Sequence, residues 1–353
     1  MFLSKTVFVL GAGASHEIGL PLGSDLAKVI SQKLDIRFED TGRPKSTGGD
    51  YPLYETLRGK FRSEAREYQH AGWMIRDGVL LANSIDDFLD RHASKPYVVK
   101  YGKLAIAASI VEAECGSRIF TGNHKPRDVN FISGTADTWY PRLLKLLGTG
   151  VSSERLDHLF DNVDFIDFNY DRCLPHYLIE AIQPLYGVDD RRAREVVATA
   201  KILHPYGSIG TLAVHRGGGN VPFGDVQTDL FEVAERIRLY TEQIQEHDEI
   251  AHIKRTIAEA QRIVFLGFGY HRQNLELITP SEPKAQEILG SAYAVSNEDC
   301  EVLKGWLDPI LGEIPPKLDL VANRRRVRSD YIKLRSDLTS AAMFDEFSRT
   351  LMS

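Results

Sequence analysis

The chain reads as an α/β protein, a Rossmann-like doubly wound parallel sheet that carries a helical insertion. Short runs of β-branched and aromatic residues stop at a glycine or polar turn and give way to a helical apolar repeat, at Thr6–Leu10, Val163–Phe168, Lys201–His204 and Arg262–Leu266. Strands and helices that alternate in this way build parallel sheets, and ligands sit beyond the carboxyl ends of the strands. Between the first two runs lies a long block with helical rather than strand periodicity, which we assign to the insertion.

In chain order, Thr6–Leu10 is a strand ending at Gly11, and the pattern beyond Ser15 is helical through Leu22, Leu26 and Ile30. Residues 35–54 are polar, with Thr41-Gly-Arg-Pro44 and Ser46-Thr-Gly-Gly-Asp50, and read as a loop. Leu57 to Glu114 is helical, with Ile85, Phe88 and Leu89 on one face and Leu104, Ile106, Ile110 and Val111 on another. Trp139–Leu147 continues as helix, Val163–Phe168 is a strand that stops at Asn169, and a helix starts near Leu174. Lys201–His204 is a third strand, and Arg216-Gly-Gly-Gly-Asn220 is a bend before a long helix from Asp229 to about Gln245. Ile250–Ala260 is a helix, Arg262–Leu266 a strand, Gly267-Phe-Gly269 a turn and Ser291–Val295 another strand. Arg324-Arg-Arg326 with Arg328 is a charge run that suits a solvated face or a partner patch, and Thr339–Met352 is a terminal helix that docks on the core or on another subunit.

At 353 residues the chain exceeds the usual single compact core. We expect one domain built from a Rossmann-like core (1–34 and 130–321), a loop and helical insertion (35–129) and a C-terminal basic segment with a helix (322–353). With 43% hydrophobic and 26% charged residues, wholesale disorder is not expected. A net charge of -6 argues against direct nucleic-acid binding through a basic surface. Cys115, Cys173 and Cys300 are scattered, with no C-x-x-C pair, so no zinc site or other metal centre is expected and a reducing, cytoplasmic setting is. The N-terminus lacks the pattern of a signal peptide, and no apolar run approaches the ~20 residues that cross a bilayer, so no membrane association is expected.

The candidate chemistry falls at the strand ends. Gly11-Ala12-Gly13-Ala-Ser15 lies between strand and helix, where glycine permits a tight turn and lets a diphosphate approach the amides at the positive helix end; a purely structural turn is the bland alternative. The third glycine of G-x-G-x-x-G is missing, with His16 in its place. An ordinary oxidoreductase would use Leu34–Asp40 as a second strand ending in an acid for the adenosine ribose, but the loop and helical block that follow break the compact β-α repeat. Asn169 and Asp171, two positions apart at the end of a buried strand, can hold a ribose, position a water and stabilise positive charge at the sugar; equally, Asp171 could cap the next helix. His204 precedes a turn at Gly207 and is placed for a base or for loop hydrogen bonding. Gly267 and Gly269 form a further strand-to-helix turn, suited to the adenosine half or to structure alone.

This ordered set resembles the sirtuin-like superfamily, in the prokaryotic branch related to NAD-consuming antiphage defence proteins. Gly11–Ser15 with Gly19-Leu-Pro21 is similar to its phosphate loop, Asn169-Tyr-Asp171 to its Asn-x-Asp element, His204 with Gly207 to its histidine–glycine element, and Gly267–Gly269 to its later nucleotide loop. The zinc-binding cysteine pairs of the deacylases are absent, and Pro21-Leu-Gly-Ser24 lacks their Asp-Phe-Arg. The resemblance implies NAD as substrate, with Asn169 holding ribose and orienting water, His204 accepting a proton and Asp171 fixing the local hydrogen bonds. It implies an NAD glycohydrolase that forms nicotinamide and ADP-ribose and depletes NAD, a homo-oligomer, and a regulatory partner such as an ATPase or a short Argonaute. The alternatives are an NAD-dependent transferase or deacylase, and a non-catalytic NAD or ADP-ribose sensor.

Overall fold

A computed structural model of the chain describes residues 2–38, 46–122, 130–212, 221–245, 247–314, 318–319, 324–325 and 327–353. Strands β1 (Thr6–Leu10), β2 (Val163–Asp167), β3 (Lys201–Leu203), β4 (Arg262–Leu266), β5 (Glu287–Ser291) and β6 (Ile332–Arg335) form one sheet in the order β6-β5-β4-β1-β2-β3. Every pairing in it is parallel. From the other edge the order is 3-2-1-4-5-6, the doubly wound Rossmann-like arrangement, and the direction of travel reverses between β1 and β4.

All five residues of β1, β2 and β4 are buried, as strands covered on both faces require. Their side chains alternate between two cores. Val7, Val9, Ile166, Ile263 and Phe265 face one, Phe8, Leu10, Phe165, Val264 and Leu266 the other. On the first side lie α2 (Gly23–Lys33) and the helical insertion, including Tyr51–Lys60, Ala65–Gly78, α3 (Ile85–Arg91) and α4 (Pro96–Cys115). The Pro96 ring opens α4, where a missing N–H costs nothing, and residues such as Leu104, Ile106, Ala107 and Val111 bury nearly its whole circumference. On the second side pack α5 (Trp139–Gly148), α6 (Cys173–Tyr186) and α7 (Ser340–Leu351), with Phe8 stacked between Phe165 and Phe344.

The insertion is fastened to the core by a buried ion pair. Glu114, in the last turn of α4, accepts from the Arg172 guanidinium (2.5 and 3.1 Å) and from the backbone N–H groups of Arg172 (2.9 Å) and Gly224 (3.0 Å). The guanidinium also donates to the Val221 and Pro222 carbonyls, so both charges lie in the core with partners on every side.

Four sequence expectations need correction. The helix after Ser15 is not continuous: α1 (Ala12–His16) ends, the chain turns through residues 17–22 with Gly19 at φ 99°, and α2 begins at Gly23. Among the described residues, the alternative strand at Leu34–Asp40 contributes only Arg37–Phe38, paired antiparallel with Ser46–Gly48 outside the main sheet. The long helix from Asp229 is two helices, Leu230–Ala234 and Tyr240–Gln245, because the intervening chain turns back to donate the Arg238 N–H to the Tyr206 carbonyl (2.9 Å). The strand expected at Ser291–Val295 ends at Ser291, where Ala294 at φ 62° turns the chain away. The sixth strand, β6, comes from the C-terminal segment, where the sequence predicts no strand, and joins the sheet edge. Residues 39–45, which include the end of the expected Leu34–Asp40 strand, Arg216–Asn220 and Arg326 lie outside the described residues. Among the described residues no helix is long and apolar enough to cross a membrane.

Glu114→Ala leaves Arg172 buried without its counter-charge and should lower the unfolding free energy by about 3–5 kcal/mol, read as a fall in the urea midpoint. The double replacement Glu114→Met with Arg172→Met should cost less than Glu114→Ala, because no lone charge remains in the core.

Candidate functional site

The turns that follow β1, β2 and β4 surround a cavity of about 900 Å³ at the point where strand order reverses, the usual ligand crevice of this fold. Of the residues singled out in the sequence, Gly11, Ala12, Gly13, Ser15, Pro21, Asn169, Asp171, Gly267 and Gly269 line it. His204 and Gly207 do not.

Two glycine turns meet edge to edge at its floor. A Cβ on Gly11 would lie 2.6 Å from the Gly267 carbonyl oxygen, and one on Gly13 would lie 2.7 Å from the Gly267 Cα. Gly267 itself has φ 56°, and a Cβ there would overlap the Ala14 nitrogen. The Gly11 N–H donates to the Leu266 carbonyl (3.0 Å), the Gly13 N–H to the Gly267 carbonyl (2.9 Å) and the Ala14 N–H to the Gly11 carbonyl (2.9 Å). These glycines therefore serve backbone packing, and the Gly11, Gly13 and Ala14 amides are already engaged within the protein. The later turn differs: the amides of Phe268, Gly269, Tyr270 and His271 donate to no described residue, and Tyr270 is held at φ 52° with its hydroxyl on the Ser291 carbonyl (3.0 Å). Anionic groups of a ligand find more open donors there than at the first turn.

Asn169 is buried, and its side-chain amide donates to the Gly11 carbonyl (3.1 Å) and the Ser15 hydroxyl (3.3 Å), while its backbone N–H donates to Asp167 (3.0 Å). No described residue donates to its side-chain oxygen, which leaves a fixed acceptor in the cavity wall. Asp171 accepts from the Cys173 N–H (3.0 Å), the first amide of α6, as well as lining the cavity; the cap position itself is Arg172. Beneath them, burial and then the neighbouring Asp171 charge push the Asp167 carboxyl well above the usual range. Burial likewise pushes up the Tyr140 hydroxyl and the Cys173 thiol, each with Asp171 among the contributing charges.

His204 sits directly behind Asn169. Its Nδ1 donates to the Asn169 carbonyl (3.2 Å), and burial lowers its pKa, so the ring is neutral and braces the strand-end loop. Gly207, at φ 70°, closes a turn back onto the His204 carbonyl (2.9 Å), and a Cβ there would run into the Arg236 carbonyl. Tyr206 rather than His204 reaches the cavity lining, its hydroxyl donating to Asn274 (2.6 Å).

The opposite wall comes from the insertion and was not anticipated. Ser84 caps α3 by accepting the Asp87 N–H (3.1 Å), which brings Asp86 to the cavity, where it accepts from the Tyr170 hydroxyl. The Ser-x-x-Asp start of α3 and the tyrosine inside Asn169-Tyr-Asp171 were the available sequence signals. Glu17 also lines the cavity but is engaged, accepting the Trp139 (2.9 Å) and Ala341 (2.8 Å) N–H groups at the starts of α5 and α7. Among the described residues no group of three or more His, Cys, Asp or Glu side chains is placed to hold a metal ion.

Gly267→Ala should cost about 2–5 kcal/mol, combining a left-handed backbone with overpacking, as measured by chemical denaturation. Gly187→Ala is the control: it has the same backbone hand (φ 68°) but open space around it, and should cost only about 1–2 kcal/mol. Comparison with protein-family models and with curated proteins gives no match.

Proposed function

We propose that the chain binds NAD in this cavity and cleaves the nicotinamide–ribose bond, releasing nicotinamide and ADP-ribose. The observation that carries the reading is Asn169: a buried amide clamped by Gly11 and Ser15 at the switch point of the sheet, with its side-chain oxygen taken by no described donor. Such an acceptor can hold a ribose hydroxyl or orient an attacking water without reorganising. The open amides of the turn from Phe268 to His271 suit the diphosphate, and Asp171 adds negative charge where the sugar turns cationic. In this reading His204 acts through Asn169, as a positioning residue.

Two further readings stay in play. An NAD-dependent transferase or deacylase would use the same nucleotide site with a second acceptor. A non-catalytic NAD or ADP-ribose sensor is favoured by one observation, that the expected imidazole base is not in the cavity lining. By the same resemblance, the chain acts as a cytoplasmic antiphage effector that depletes NAD, working as a homo-oligomer or under a partner such as an ATPase or short Argonaute.

Nicotinamide release from NAD, followed with and without the product of the neighbouring gene, separates these readings. Release without an acceptor supports hydrolysis, release only with a protein acceptor supports transfer, and binding without turnover supports sensing. Asn169→Ala should cut release by about 10²–10³-fold, the usual cost of removing one preorganised polar group; turnover at the parental rate would remove Asn169 from the chemistry. His204→Ala should have a smaller effect, together with a measurable loss of stability.

A further inference from the structure

Cleavage of NAD by water needs a proton acceptor, and His204 is not among the residues that line the cavity. Four acids line it: Glu17, Asp86, Asp87 and Asp171. Glu17 holds two helix N-termini, Asp87 is paired with Arg91 (2.9 Å) and bonded to Asn83 (3.2 Å), and Asp171 accepts the Cys173 N–H (3.0 Å). Asp86 alone among them has neither an ion pair nor a bond from the backbone amide of another described residue, and its one side-chain partner is the phenol of Tyr170, next to Asn169 in the chain.

Resting on the cleavage reading above, we propose that Asp86, carried to the cavity by the helical insertion and supported by Tyr170, is the catalytic base that takes the proton of the attacking water. The water oxygen bonds to C1′ of the ribose as the C1′–N bond breaks. The electron pair of that bond leaves with nicotinamide, which departs neutral, and one water proton passes to the Asp86 carboxylate and then to solvent.

The surroundings tune Asp86 for this role. Burial pushes its pKa up to about 6, with the charges of Asp90 and Asp87 adding to the rise and the Tyr170 hydrogen bond opposing it. The carboxylate is thus largely ionised at neutral pH, yet more basic than an exposed one, the condition under which a general base is most useful. The charged and titratable groups around it are Tyr170 and Tyr206 from the strand-end loops, and Asp87, Asp90 and Arg91 on α3 itself. The helices packed on α3 bring Lys103, paired with Glu242 (2.7 Å), and Asp25, paired with Lys28 (2.9 Å) at the surface.

The test compares the full-length parent, Asp86→Asn and Tyr170→Phe for NAD affinity by calorimetry and for nicotinamide release across the acid and neutral range. The parental rate should fall as pH drops through about 6, because the base must be deprotonated. Asp86→Asn should bind NAD within about threefold of the parent and lose about 10²–10⁴-fold in rate, with the acid limb gone. Tyr170→Phe removes the bond that stabilises the carboxylate, so its limb should move to higher pH. Asp86→Asn with the parental rate and limb would overturn the assignment while leaving NAD cleavage standing. So would a loss of affinity that matches the loss of rate, since Asp86 would then be a binding group. If Asp86→Asn does not fold, an unmoved limb in Tyr170→Phe overturns the assignment alone. A parent that releases no nicotinamide, with or without the neighbouring product, overturns cleavage itself and the base with it.

Discussion

Gly11 and Gly13 press against the backbone of Gly267 with no room for a side chain on either turn, and the geometry of the cavity follows from that contact. β1 and β4 are neighbours at the centre of the sheet, yet the chain leaves them toward opposite edges. Two strand-to-helix turns must therefore pass each other over one strand spacing, which only backbone against backbone allows. The Gly13 to Gly267 hydrogen bond locks the pair, and the Asn169 amide, resting on the Gly11 carbonyl, ties the end of β2 to the same point. Three strand ends are thus fixed as one rigid floor, so the glycine-rich opening of the chain is a packing device before it is a ligand device.

On that floor the fold is generic, and the distinctive wall is supplied by the insertion. The crossover from β1 to β2 starts at the cavity, so a helical block placed in it naturally returns beside the strand ends. The buried Glu114–Arg172 pair fixes the far end of that block against the start of α6. Removing either charge alone would leave the other stranded, so the pair specifies one docking position even where its net contribution to stability is small. Through α3 this positioning reaches Asp86 and its contact with Tyr170.

Much of the core was legible because both-face burial gives short, continuous apolar runs: β1, β2, β3 and β4 fall where the sequence suggests, each followed by its turn. What failed was local and has physical causes. β6, Ile332-Lys-Leu-Arg335, is an edge strand whose alternating pattern is short and lies beside an arginine-rich segment that masked it. β5 was displaced because Gly290 interrupts its apolar run; its missing side chain makes room for the Tyr270 hydroxyl, a contact between residues far apart in sequence. At the site, strand-end glycines, Asn169 and Asp171 were found from pattern alone. Whether a side chain beyond β3 turns in or out depends on the tight His204–Gly207 turn, which periodicity does not encode, and so Tyr206 and not His204 meets the cavity. Asp86 was hidden for a different reason: its partner Tyr170 is distant in sequence, and only tertiary packing brings them together.

The electrostatics around Asn169 form one coupled set. Asp167, Tyr140, Cys173 and Tyr170 are all displaced toward their neutral forms by burial first, and the Asp171 or Asp86 charge adds to each. Of these groups Tyr170 lines the cavity, together with the carboxylates Asp86 and Asp171, and negative charge gathered there is eased by any cation that enters beside it. Under the proposed reading that cation is the pyridinium of NAD, whose charge disappears when nicotinamide departs, just as positive charge develops on the ribose that stays behind. The carboxylates that receive the bound pyridinium then face the sugar cation instead. The same field can favour both entry of the substrate and heterolysis of its bond, provided the acids lie nearer to C1′ than to the departing ring.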